Sequence, residues 1–98
     1  MTLTKEFIRT IPKVLLHDHL DGGVRPQTVI DLAKEQGYDK LPTSDPGELD
    51  RWFQRGAQRG SLPLFLEGFE HTCGVMQTED ALERVAYEMM EDMKKDGV

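Results

Sequence analysis

His17 and His19 stand two residues apart in the run Lys13-Val14-Leu15-Leu16-His17-Asp18-His19, with Asp21, Gly22 and Gly23 just beyond. Side chains at i and i+2 of a strand point to the same face, so the two imidazoles converge on one point. Neutral imidazole is a common ligand for zinc and other borderline cations, and such a pair is half of a metal site. Asp18 points the opposite way and suits a neighbouring group better than a metal. Asp21 falls in the loop that follows, where a carboxylate can accept hydrogen bonds from a hydroxyl-bearing ligand. A bare HxH on a surface strand would mean little; this one ends an apolar run and meets a Gly-Gly loop. The remaining reactive types have plainer readings. His71, beside Glu70 on a helix, reads as a solvated surface histidine. Cys73 reads as a small buried hydrophobe on a stripe with Phe69, since no basic neighbour is placed to lower its pKa. Gly22-Gly23 is no phosphate cradle, because neither GxGxxG nor GxxxxGK[ST] is present.

The elements that must position these groups can be read from spacing. Three consecutive apolar residues, Val14 to Leu16, do not alternate, so the segment over 13–19 is expected to be a strand buried on both faces, the habit of parallel sheets. A short helix precedes it over Thr4 to Ile11, stopped by Pro12. After the loop Leu20 to Val24, Pro26 opens a helix carrying Val29, Leu32, Ala33 and Gln36, which Gly37 ends. Residues 38–44 are irregular. Asp45 caps a helix with Leu49, Trp52 and Phe53 on one side, broken by the Gly56 to Gly60 stretch. Ser61 can cap the next, from Leu62-Pro63, with Phe65, Leu66, Phe69 and Cys73 along one stripe. Thr78 caps the last, in which Leu82, Val85, Ala86, Met89 and Met93 repeat at three and four, its acids form a solvated face, and Lys94, Lys95 and Gly97 mark the end.

A doubly apolar strand needs partner strands, and none is in view. The expectation is therefore an α/β protein of which this chain, residues 1–98, is an N-terminal and incomplete part. One strand, a helical insertion and a second strand starting at Val98 suit either a (β/α)₈ barrel or an open doubly wound sheet. In a barrel, active sites are built at strand C-termini, where the two histidines stand.

Composition narrows the partners. Twelve Lys and Arg against eighteen Asp and Glu give a net charge of −6, with 38% hydrophobic and 31% charged residues. That is a folded chain with a meagre core. No basic footprint for nucleic acid and no polybasic segment for a membrane surface is present, and no stretch approaches the roughly 18 apolar residues of a span. A lone cysteine and the lack of a signal-like apolar run near the start make the cytoplasm the expected compartment.

The segment from Lys13 to Gly23, with Arg25-Pro26 and the helix through Leu32, resembles the first strand and loop of the adenosine deaminases, within the metal-dependent amidohydrolase superfamily. That family carries H-x-H-L-D-G at the end of the first barrel strand, and relatives acting on the free base usually have Glu where this sequence has Asp21. Leu62-Pro63-Leu64-Phe65-Leu66 with Phe69 resembles the helix that gates the purine pocket, and residues 86–98 resemble the approach to the second strand. The resemblance implies the first part of a (β/α)₈ TIM barrel. It implies Zn²⁺ held by His17 and His19, with His19 and Asp21 facing the substrate, Asp21 hydrogen-bonded to the ribose, and Phe65 and Phe69 lining an apolar lid. The reaction implied is hydrolytic deamination of adenosine and 2′-deoxyadenosine to inosine and ammonia, by water that the metal activates at C6. The third zinc histidine, the H-A-G-E segment, a further histidine and a late aspartate pair belong to later strands in that family. No catalytic acid or base is expected within these residues, and the isolated chain is expected to be inactive. The competing readings are a deaminase for adenine or another aminopurine, and a small helical binding module in which HxH is an accident.

Overall fold

The computed structural model describes residues 2–98, and their regular structure is helical throughout. Helix α1 spans Lys5–Thr10, α2 Pro26–Gln36, α3 Pro46–Ala57, α4 Leu62–Val75 and α5 Glu79–Lys95, with a single 3₁₀ turn at Leu20–Gly23 between α1 and α2. Local chemistry sets most boundaries. Thr4, Asp45 and Thr78 each accept a hydrogen bond from the backbone N–H three residues on, satisfying a donor that the first helical turn leaves free. Proline opens the first turn of α2, α3 and α4, where its missing N–H costs nothing. Gly37 ends α2 at φ 68°, a left-handed angle that favours glycine. Ser61 makes no capping hydrogen bond, and α3 runs on through Gly56 to Ala57.

Helices α2, α3 and α4 pack on one another, and the 3₁₀ turn lies against both α4 and α5. Val29, Ile30, Leu32, Ala33, Leu49, Val75, Ala81 and Val85 form the core. The face that α4 turns inward is not the expected stripe of large apolar residues. His71, Thr72 and Val75 are its buried residues, while Phe65, Leu66 and Cys73 are exposed. The cause is two glycines. A Cβ on Gly68 would stand 3.2 Å from the Phe53 ring, and one on Gly74 would stand 2.7 Å from Tyr38. Neighbouring aromatic rings therefore press onto the α4 backbone, and the larger side chains of α4 are left on the outside. On α5 the buried positions are Ala81 and Val85, and Leu82 is 43% exposed.

The expected strand is absent. Residues 12–15 and 17–19 lie outside helices and strands, and no strand occurs among the described residues. The backbone at His19 is extended, at φ −116° and ψ 124°. A strand is defined by ladder hydrogen bonds to a neighbour, and no second extended segment lies alongside this one. Lys13 N–H donates to Gly97 O at 2.9 Å, which fastens the start of the segment just beyond the end of α5. Val14 and Leu16 are left 81% and 96% exposed. The Cα radius of gyration, 14.8 Å, accordingly exceeds the about 13 Å of a closed globule of this length. No helix is long and apolar enough to cross a membrane among the described residues.

Candidate active site

His17 and His19 come together, although the strand from which their convergence is expected is not formed. Their Nε2 atoms lie 3.1 Å apart, with ring centroids at 4.9 Å and the rings tilted by 45°. The nitrogen separation is the length of a hydrogen bond between the two rings, and it is a little shorter than the roughly 3.3–3.4 Å between two nitrogens each about 2.0–2.1 Å from one tetrahedral zinc. Both imidazoles are exposed. Asp18 serves the backbone: its Oδ1 accepts from the His19 N–H at 2.8 Å. No group of three or more His, Cys, Asp or Glu that could hold a metal is present among the described residues.

The 3₁₀ turn begins directly after His19, and the Gly22 N–H donates to His19 O at 3.0 Å. Asp21 thus follows the second histidine within one hydrogen-bonded turn. Asp21 is among the residues that line a groove of about 240 Å³, with Gly22, Val24, Asp50, Phe65 and Phe69, and with Pro26, Phe53, Gly68 and Thr72 completing it. Phe65 and Phe69 meet edge to face at 5.7 Å and supply an apolar wall. Gly22 lets that wall come close, since a Cβ there would lie 3.7 Å from the Phe69 ring. The volume is below the roughly 300–1,000 Å³ of a typical small-molecule pocket, as fits one wall of a site. Neither His17 nor His19 is among the residues that line this groove.

Two residues depart from their sequence reading. Cys73 is exposed rather than buried, because its side of α4 faces the turn and not the core. Its thiol donates to Asp21 Oδ2 at 3.3 Å, and desolvation, followed by that carboxylate, pushes the thiol pKa up, so it is no activated nucleophile. His71 is 8% exposed, not solvated. Its Nδ1 pairs with the Tyr38 hydroxyl at 2.8 Å, the Trp52 ring stands edge-on at 5.3 Å, and burial lowers its pKa. Asp50, Phe53 and Thr72 were missed as groove residues. Only the packing of α3 on α4 brings them to the groove, and no motif in the sequence announces that packing.

Comparison with known proteins bears on these residues as a block. A family model described as adenosine deaminase matches residues 12–98. Adenosine deaminase of Mycobacterium ulcerans (strain Agy99) is 57% identical over 95 residues, covering 97% of this chain and 26% of the relative. Adenosine deaminase 1 of Streptomyces coelicolor is 57% identical over 97 residues, covering 99% of this chain and 24% of the relative. The protein named adenosine deaminase in Mycobacteroides abscessus is 58% identical over 91 residues, with 93% and 25% covered. The chain therefore spans about a quarter of the length of the curated relatives it matches. No solved structure gives a significant match.

Proposed function

The chain belongs to the adenosine deaminase family, and from that premise we propose that it forms the first part, residues 1–98, of a (β/α)₈ barrel enzyme that deaminates adenosine and 2′-deoxyadenosine hydrolytically. His17 and His19 are two of the ligands that would hold a zinc ion. The observation that carries this reading is the 3.1 Å approach of their Nε2 atoms, at the head of the turn that bears Asp21. The donor set fits: borderline nitrogen ligands, at a separation suited to a shared tetrahedral cation. Zinc, when bound, lowers the pKa of a water molecule and so makes a nucleophile available at neutral pH.

The other roles follow from chemistry and place. Asp21, on the groove rim, accepts a hydrogen bond from a ribose hydroxyl, and His19 borders the substrate from the metal side. Phe65 and Phe69 cover the purine and exclude water from it, which strengthens every polar contact beneath. The groups that move protons to and from the purine lie outside these residues, as do the remaining metal ligands. Val14 to Leu16, exposed here, become the first barrel strand when neighbouring strands flank them. The working protein acts in the cytoplasm on a small purine nucleoside and needs neither nucleic acid nor membrane.

The test is substrate comparison with the complete protein. Adenosine and 2′-deoxyadenosine are expected to release ammonia and give the corresponding inosines, whereas adenine, which offers Asp21 no hydroxyl, is turned over at least about 100-fold less efficiently. Preference for adenine would overturn the assignment of Asp21 to the ribose; failure on all three would overturn the reaction.

A further inference from the structure

Arg25 lies four residues after Asp21 and outside the groove, yet it has more charged partners than any other side chain in the described residues. It occupies the N-cap position of α2 without capping it. Its guanidinium instead reaches α5. Nε donates to the two Asp92 oxygens at 3.2 and 3.1 Å, Nη2 to Asp92 Oδ1 at 2.9 Å and to Glu91 at 3.4 Å, and Nη1 to Glu88 at 3.3 Å. Glu88 is in turn held by the Thr28 hydroxyl and by Arg84 Nε at 3.5 Å. These acids are thus no simple solvated face: Glu88 and Asp92 are half-buried around one cation.

An exposed ion pair adds little to stability, but a planar guanidinium held on two edges fixes direction. The turn just before it is packed on two sides. Met89 of α5 packs within 3.6 Å of the Cβ position of Gly23, and Phe69 of α4 within 3.7 Å of that of Gly22. The turn is therefore gripped from both sides immediately after Asp21, and Arg25 is the polar end of the α5 grip. We propose that Arg25 is a positioning residue: anchored on Asp92 and Glu88, it sets the Asp21–Gly23 turn against α4 so that the Asp21 carboxylate meets the substrate's sugar hydroxyl. This rests on the reading of Asp21 given above.

The experiment uses the complete protein and two substrates, adenosine and 9-methyladenine, which keeps the purine and lacks every hydroxyl. Arg25→Ala is expected to raise KM for adenosine about tenfold with kcat within about twofold, to leave 9-methyladenine nearly unchanged, and to add nothing in an Asp21→Ala background. Arg25→Lys, a point charge without the fork, recovers only part of the loss. Should Arg25→Ala fail to fold, Asp92→Asn is measured in its place, with the same pattern at smaller size. Equal losses on both substrates, or additive losses with Asp21→Ala, would overturn the inference while leaving the deaminase reading intact. A wild-type protein that ignores adenosine would overturn that reading and this inference with it.

Discussion

The segment 11–19 and the helical block from Thr28 to Val85 place their apolar side chains in opposite ways. Val29, Leu49, Val75 and Ala81 are wholly enclosed, whereas Leu16 is 96% and Val14 81% exposed. The block encloses a core of its own because each helix satisfies its own backbone and needs neighbours only for its side chains, though Leu62, Leu66 and Leu82 stay exposed. An extended segment satisfies neither its backbone nor its side chains alone. The two imidazoles that would hold metal stand on the extended segment, while the groove residues stand on or beside the helical block.

That contrast can be broken at several points. The largest effect is expected at the histidines: in the complete protein, His17→Ala and His19→Ala should each lower kcat/KM by more than the 10–100-fold typical of changes behind the ligands. Next comes the core. Leu49→Ala removes a fully enclosed side chain and is expected to cost about 2–5 kcal/mol in chemical denaturation, with KM nearly unchanged. Leu16→Ala sharpens the comparison, since a loss of similar size in the complete protein would show that the exposed face seen here is covered there, and a loss near zero would show that it is not. Gly74→Ala forces a methyl against the Tyr38 ring and is expected to cost about 1–3 kcal/mol.

The smallest effect is one of pH. Burial holds the folded pKa of His71 below its ordinary value, so the unfolded chain binds the proton more readily. Stability is therefore full above about pH 6.5, the ordinary histidine value, and declines as pH falls through it. Asp31 and Asp92, whose pKa values are lowered first by hydrogen bonds from Arg84 and Arg25, add a further decline only at more acid pH, beginning in the ordinary carboxylate range and continuing below it. A melting series from pH 7.5 to 5 should show the His71 step, and His71→Phe should remove it.

Much of this was legible in the sequence, for local reasons. Thr4, Asp45 and Thr78 as caps, proline in the first turn and Gly37 as a stop depend on residues within one turn of each other. The approach of His17 and His19 is found as well, but without the strand from which it is expected. What was illegible depends on long-range packing. The strand over 13–19 was read from apolarity, which says what a segment needs and not whether it has it. The inner face of α4 is set by Gly68 and Gly74, whose lack of a side chain leaves no hydrophobic pattern to read, and this is why His71 and Cys73 exchange their expected places. The binding of Arg25 to α5 joins residues 63 to 67 apart in sequence.

The central claim is that His17 and His19 jointly hold the metal on which deamination depends. Its most direct test is bound zinc per molecule and inosine formation, measured side by side on the complete wild-type protein and its His17→Ala/His19→Ala variant. The account predicts about one zinc and active turnover in the first, and neither in a variant that still melts cooperatively. A variant that keeps its zinc and deaminates adenosine at the wild-type rate would contradict it.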